Sequence, residues 1–578
     1  MAKKLLLGNE AVARGLYEAG CTVVSSYPGT PSTEITECAA KYDEIYSEWA
    51  PNEKVACEVA AGAAIAGARS FCGMKHVGLN VAADPLFTAS YTGINGGMML
   101  AVADDPGMHS SQNEQDSRHY AEAAKIMMLE PADSRECLEY TKKAFELSEK
   151  FDTPVILRLT TRVAHSRGLV NLSDRADIPL KKYEKNPQKY VMMPAYAIPK
   201  HVAVENRTLE ELKFCETDDI NTVEYYDKKI GVITSGNCYN YAKEALGENA
   251  SYLKLGCLFP LPEKKILEFA ENCDEIYVIE ELDPYIENHC KKLGVKVQGK
   301  DLFTLQGEYS QRLVEKVVLG KEREFSSLDA QIPGRPPVLC AGCPHRGLFY
   351  TLKKEGVAVS GDIGCYTLGA LQPLGAMDTC ICMGASISSL HGRNKANPEN
   401  AKKSVAVIGD STFIHSGITG LIDIAYNNSA STVIILDNSI TGMTGHQENP
   451  TTGKNIKGDP ATAVDIVALA HSIGIKRVTV VDPYNIEETE NAIHTELQID
   501  EPSLIISRRP CALLKYVKHN PPLKVDTEKC RGCKMCMKIG CPAISMKNGK
   551  ASIDFTQCVG CGVCTQMCKF DAITGEES

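Results

Sequence analysis

Val405-Ala-Val-Ile408 is a short apolar strand that runs into Gly409-Asp410-Ser411, and the next apolar strand, Thr432–Leu436, ends in Asp437-Asn438, twenty-eight residues beyond Asp410. That interval holds one helix and one return strand. It brings the ends of two parallel strands together at the carboxyl edge of a sheet, where α/β folds bind ligands. A carboxylate and an amide oxygen placed there suit Mg²⁺, a hard cation that takes protein and diphosphate oxygens together. Gly409 lets the backbone approach a phosphate, and a helix after Ser416-Gly417 is expected to offer its N-terminal dipole.

The same alternation extends in both directions. Residues 338–515 form one α/β unit, with a further strand at Leu504–Ser507, and residues 229–330 form another, with strands Ile230–Thr234, Ser251–Leu255 and Glu275–Ile279. Residues 1–165 read as a helix at Leu5–Ala19, a strand at Thr22–Ser26, a rigid turn at Tyr27-Pro-Gly-Thr30-Pro31 and a helix opening at Ser32-Thr33-Glu34. An Ala- and Gly-rich helix at Glu53–Arg69 and a closing strand at Pro154–Leu159 complete it. Residues 166–228, charged and broken by Pro187 and Pro199, are expected to be a connection packed over the surface, and Gln331–Pro337 reads as a linker. Alternation of this kind predicts an α/β, multidomain protein with parallel sheets flanked by helices.

A chain of 578 residues is too long for one hydrophobic core. Its 44% apolar and 23% charged residues are those of a globular protein, and a net charge of −11 gives no reason to expect nucleic acid as a partner. No apolar run approaches the roughly 18–20 residues of a membrane span, and the N-terminus turns polar after Leu7, too soon for a signal-peptide core. A cytoplasmic location and no membrane partner are therefore expected. The 24 cysteines fit a reducing compartment: sixteen are scattered through apolar segments as small hydrophobes, and eight crowd between Cys530 and Cys568.

Those eight follow Pro521-Pro522, in a tail of residues 521–578, as Cys530-x2-Cys533-x2-Cys536-x4-Cys541 and Cys558-x2-Cys561-x2-Cys564-x3-Cys568. Zinc held by cysteines usually uses paired Cys-x2-Cys knuckles, whereas two triplets with two trailing cysteines fit two cuboidal clusters. From Lys524 onward the tail carries eight basic and six acidic residues. That suits docking of an acidic electron carrier, and equally a solvated face.

The tail resembles the two-cluster bacterial ferredoxins. The resemblance implies one [4Fe–4S] cluster on Cys530, Cys533, Cys536 and Cys568, and a second on Cys558, Cys561, Cys564 and Cys541. Two departures stand out: four residues precede Cys541, and Lys569 occupies the place of a common proline. Gly409-Asp410-Ser411 with Asn438 resembles the thiamine diphosphate motif, which implies Mg²⁺ on the side chains of Asp410 and Asn438 and the backbone carbonyl of Ile440. Cys340-Ala-Gly-Cys343-Pro-His345-Arg346 and Gly361-Asp362-Ile-Gly364-Cys365 are similar to further diphosphate-domain signatures of the 2-oxoacid:ferredoxin oxidoreductases. Cys340-x2-Cys343 alone also reads as a zinc or redox pair; no second pair stands at metal spacing, so a tight turn beside the cofactor is expected. Lys75–Pro85 and Ala103–Gln115 extend the resemblance over the whole chain, to the alpha subunits of the indolepyruvate branch of that family.

The resemblance implies a pyrimidine-binding domain (1–165), a transketolase C-terminal-like domain (229–330), a diphosphate-binding domain (338–515) and the two-cluster domain. It implies oxidative decarboxylation of aryl 2-oxo acids (indolepyruvate, phenylpyruvate, hydroxyphenylpyruvate), with coenzyme A as acyl acceptor and an external ferredoxin as electron acceptor. Thiamine chemistry needs a glutamate against the aminopyrimidine ring, and the resemblance makes it Glu58, whose small apolar neighbours predict burial and a raised pKa. From periodicity alone Glu58 reads rather as facing solvent, and the resemblance reverses that reading. Gly364, Cys365 and Met383 fall at cofactor-binding positions, Met383 as the bulky prop or simply a core methionine. Thr30 falls at a position near the substrate, or is simply a turn threonine, and His109, Gln112, His345 and His446 are candidates for substrate or intermediate contact that also read as structural side chains. No stretch is left over for a gamma-type domain, which implies a separate beta subunit and an α2β2 assembly. The competing readings are an oxidoreductase for other 2-oxo acids, a non-oxidative thiamine-dependent decarboxylase, for which the cluster tail has no use, and an electron-transfer subunit on a degenerate scaffold.

Overall fold

The computed structural model describes residues 3–324 and 330–575, which fall into two compact units, Met1–Leu328 and Asp329–Ser578. Glu576 and Glu577, two of the tail's six acids, lie outside the described residues.

The first unit is built on a seven-stranded sheet in the order Cys257–Phe259, Met128–Leu129, Val155–Thr160, Met98–Asp104, Ser70–Lys75, Val23–Ser26, Tyr46–Trp49. All neighbours are parallel except Cys257–Phe259, which runs antiparallel at the edge. Its central strands Ser70–Lys75, Met98–Asp104 and Val155–Thr160 are buried at every residue, as a parallel sheet covered on both faces requires. A four-stranded sheet, Glu275–Ile279, Ile230–Ser235, Ser251–Leu255 and Thr222–Glu224, lies beside it. The two share one core, in which Leu253, Leu255 and Ile276 pack with Leu79, Leu86 and Leu100. Because Cys257–Phe259 leaves the smaller sheet to edge the larger, residues 229–324 are sewn into the first unit and are not a free-standing body.

Two segments differ from expectation. Lys3–Leu7 is a strand paired antiparallel with Arg167–Asn171, and the first helix begins only at Gly8. Residues 166–228 are not a bare connection: they supply that strand, the edge strand Thr222–Glu224, and a 24-residue helix, Pro194–Thr217, that buries Val204, Glu211 and Cys215. An internal Pro199 and the exposed apolar residues Ile198, Val202 and Leu209 blur its periodicity and hid it.

The second unit carries a six-stranded, all-parallel sheet in the order Thr379–Cys380, Ala358–Gly361, Ser404–Gly409, Thr432–Asp437, Ser503–Arg508, Arg477–Val481. The chain leaves Ala358–Gly361 toward one edge and Ser404–Gly409 toward the other. The crevice at their carboxyl ends is therefore the topological switch point, where open α/β sheets take ligands. The tail adds a two-stranded antiparallel sheet of Lys524–Val525 with Ile573–Thr574 and a hairpin of Ile544–Lys547 with Lys550–Ile553, wrapped around the cysteines.

Candidate active site

At the switch point, Gly361-Asp362, Gly409-Asp410 and Asp437-Asn438 end three adjacent strands. Asp410 is 2% exposed; its Oδ1 accepts from the Ser411 backbone N–H at 2.8 Å and its Oδ2 from the Thr451 hydroxyl at 3.3 Å. Among the described residues no lysine, arginine or histidine pairs with it. Burial, reinforced by the charge of Asp437, pushes its carboxyl up to about 7. A buried carboxylate without a cation is what a divalent ion at this point would neutralise. Asn438 accepts from the Ile440 backbone N–H at 3.3 Å across Ser439, whose φ of 58° turns the chain sharply. The Thr441 hydroxyl donates to Ser411 Oγ at 2.9 Å, which fastens this turn to the Gly409–Ser411 corner. Asp410, Ser411, Asn438 and Ile440 are thus brought together, and Thr441, Asn449 and Thr451, absent from the sequence reading, complete the ring.

The helical stretch after Gly409 begins at Asp410 itself and passes through a single π turn, Phe413–Gly417, into Ile418–Tyr426. The N-terminus expected after Ser416-Gly417 therefore lies seven or eight residues earlier, with its dipole at the Gly409–Asp410 corner. Gly409 and Gly364 both meet the Tyr366 ring, where an added Cβ would stand 2.7 and 2.3 Å from it. Asp362 accepts from the backbone N–H groups of Gly384 and Ser386, each at 3.0 Å, and so draws the half-buried Met383 loop to the same edge. His345 is buried edge-on to Tyr366, and burial alone drops its pKa to about 4, so its ring is neutral near pH 7.

Cys530, Cys533, Cys536 and Cys568 line one cavity, and Cys541, Cys558, Cys561 and Cys564, joined by Cys343, line a second. Backbone N–H groups of Ala551, Ala572 and Leu523 point at the sulfurs of Cys530, Cys568 and Cys558, each at 3.4 Å. Such N–H···S contacts stabilise the more negative, reduced state of a cluster. A third set escaped the sequence reading. Cys340, Cys343, Cys365 and Cys511, from three distant segments, lie close enough for their charges to act on one another. Burial pushes Cys343 up to about 12 and Cys365 up to about 11. The Cys340–Cys343 turn therefore has Cys365 and Cys511 in its vicinity, and exposed His446 approaches Cys511 Sγ at 3.8 Å.

In the first unit, Glu58 is exposed and paired with Lys54 one helical turn away, contrary to the burial expected of it. Glu53 is the buried acid of this helix, 4% exposed, in the first turn after an Asn52 cap that accepts from Val55 N–H. Its carboxylate lies against Gly78, where an added Cβ would stand 2.5 Å from Oε1. Lys75, at the carboxyl end of its strand, donates to Ser110 O at 2.7 Å, packs on Gly29 of the Thr30 turn, and is lowered by burial to about 8. Thr30 is half-buried; His109 and Gln112 are exposed, with His109 Nε2 3.7 Å from Glu308.

Family models match in three places: a pyruvate flavodoxin/ferredoxin oxidoreductase thiamine-diphosphate-binding domain at residues 14–230, a thiamine pyrophosphate enzyme C-terminal binding domain at 362–507 and a 4Fe–4S binding domain at 551–574. The chain is 42% identical to the indolepyruvate oxidoreductase subunit IorA of Archaeoglobus fulgidus, over 100% of this chain and 98% of that one. It is 41% identical to the corresponding subunit of Pyrococcus horikoshii, over 99% and 96%. A solved 2-oxoglutarate:ferredoxin oxidoreductase from Magnetococcus marinus matches 55% of this chain and 65% of its own at 18% identity and a TM-score of 0.47. Among the described residues no helix is long and apolar enough to cross a membrane. With both thiamine-diphosphate-binding domains, the 4Fe–4S domain and full-length identity above 40%, the chain belongs to the indolepyruvate oxidoreductase IorA family of 2-oxoacid:ferredoxin oxidoreductases.

Proposed function

We propose that the chain is the catalytic alpha subunit of an indolepyruvate:ferredoxin oxidoreductase, converting aryl 2-oxo acids and coenzyme A to aryl-acetyl-CoA and CO2 and passing electrons through its clusters to ferredoxin. The observation that carries this reading is the coexistence, in one unit, of a carboxylate-lined switch point and two cavities walled by four and five cysteines. A non-oxidative decarboxylase has no use for the second feature. When bound, thiamine diphosphate supplies the nucleophilic carbon and the electron sink.

The side chains of Asp410 and Asn438 and the carbonyl of Ile440 would hold Mg²⁺, and the backbone at Gly409–Ser411 would receive the diphosphate. Glu53, rather than Glu58, is the acid that shares a proton with the aminopyrimidine ring, because it is the buried one. Thr30 and Lys75, on neighbouring strand ends, bind the anionic substrate. Neutral His345 positions Tyr366 against Gly409 and carries no charge in the reaction. Cys340, Cys343, Cys365 and Cys511 are a third thiolate site on the electron route. A separate beta subunit completes an α2β2 assembly in the cytoplasm.

The test is CO2 release from phenylpyruvate with coenzyme A, with and without an oxidised viologen. Release that requires the acceptor supports the oxidative reading; equal release without it supports the lyase.

A further inference from the structure

Arg346 is a buried cation in an unfavourable place. It is 4% exposed and stands in the first turn of the helix His345–Glu355, where the helix dipole is itself positive. Among the described residues no carboxylate pairs with it. Its guanidinium donates instead to four backbone carbonyls: those of Leu339 and Cys340 (3.1 Å) on its own side, and those of Ile539 (3.2 Å) and Gly540 in the cysteine tail. Carbonyl oxygens satisfy the N–H groups but not the charge, and an uncompensated buried charge costs several kcal/mol.

The groups that face Arg346 are sulfurs, which become anionic when they hold a cluster. Cys541, Cys343, Cys340 and Cys561 favour its charged form, in that order, against burial. Arg346 also lines the cavity walled by Cys541, Cys558, Cys561 and Cys564. The surrounding contact is close: a Cβ on Gly342 would stand 2.2 Å from Val559, and one on Gly540 3.3 Å from the guanidinium. The Tyr484 hydroxyl donates to Gly342 O, while Gln566 donates to Tyr484 O at 2.7 Å and accepts from Ile486 N–H at 3.0 Å, which ties the tail down at a second point.

We propose that Arg346 is a positioning residue for electron transfer: it clamps the loop before Cys541 onto the Cys340–Cys343 turn, and its charge offsets that of the cluster held by Cys541, Cys558, Cys561 and Cys564. This rests on the reading of that cavity as a [4Fe–4S] site. A fixed cation beside a cluster stabilises its reduced state, so its removal lowers that cluster's potential and leaves the cluster of Cys530, Cys533, Cys536 and Cys568 unmoved.

The experiment is a dithionite titration of the full chain followed by electron paramagnetic resonance, on the parent, Arg346→Met and Arg346→Lys. It needs no 2-oxo acid, so it stands even where the substrate reading fails. Expected is a shift of one cluster to lower potential in Arg346→Met at unchanged iron content, with Arg346→Lys near the parent. Unchanged potentials in an iron-replete Arg346→Met overturn the proposal. If Arg346→Met holds no iron, Arg346→Lys decides: iron with parental potentials supports the charge role, and loss of iron there too overturns it.

Discussion

Gly78→Ala puts a methyl group where the Glu53 carboxylate now lies. The added Cβ would stand 2.5 Å from Oε1, 2.7 Å from Cγ and 2.9 Å from Cδ, whereas ordinary contact begins at 3.4 Å. The carboxylate must therefore retreat by about 1 Å, a displacement that at a reacting group costs on the order of 10²-fold in rate. Stability changes less. Overpacking costs about 1–3 kcal/mol, and replacing a helical glycine by alanine returns about 1 kcal/mol. The assay is kcat at saturating thiamine diphosphate and Mg²⁺ beside the melting temperature, for Gly78→Ala, Glu53→Gln and Glu58→Gln. Glu53→Gln should lose roughly 10²–10⁴-fold, the range of general acid–base catalysis, and Glu58→Gln should stay near the parent. Near-parental kcat in Gly78→Ala and Glu53→Gln, or the large loss falling on Glu58→Gln, refutes the assignment of Glu53.

Three further outcomes follow from named contacts. Asp410→Asn keeps the shape of a buried carboxylate while removing its charge; Mg²⁺-dependent thiamine diphosphate binding should be lost, and the metal-free chain should melt no lower than the parent, checked by calorimetry in chelator. Cys568→Ala and Cys541→Ala should each abolish a different cluster signal, because the two cysteines line different cavities; loss of the same signal in both contradicts the allocation. Glu211, fully buried on Pro194–Thr217, is raised by burial to about 7 despite Arg207 Nε at 3.5 Å. Its folded pKa lies above the ordinary 4.5, so the stability it contributes is present below pH 4.5 and lost as pH rises through about 7. The loss is at most about 3 kcal/mol. Glu211→Gln should flatten that slope and raise the melting temperature at pH 8; an unchanged slope contradicts it.

Where the signal was local, the sequence was legible. The cysteine triplets fold around one point because two-residue spacings leave little freedom; that Cys568 lines the first triplet's cavity and Cys541 the second's is what the ferredoxin resemblance implies and spacing alone does not. The switch point was legible because each strand runs directly into its acid or amide. Long-range assembly was not. Cys340, Cys343, Cys365 and Cys511 come into one another's vicinity only once the sheet is formed. Lys3–Leu7 became a strand because Arg167–Asn171, far along the chain, offers it a partner. Glu53 and Glu58 share one Ala-rich helix, and five residues at about 100° each set them about 140° apart. Which face the core takes depends on the helix His76–Thr92 that covers it, which periodicity does not name.

The most direct test of the account is anaerobic viologen reduction by the chain purified with its proposed beta subunit, using indolepyruvate, phenylpyruvate, pyruvate and 2-oxoisovalerate, each with and without coenzyme A. The account predicts coenzyme-A-dependent reduction led by the two aromatic acids. Reduction led by pyruvate or 2-oxoisovalerate contradicts the substrate class, and no reduction by a chain replete in iron and thiamine diphosphate contradicts the reaction itself.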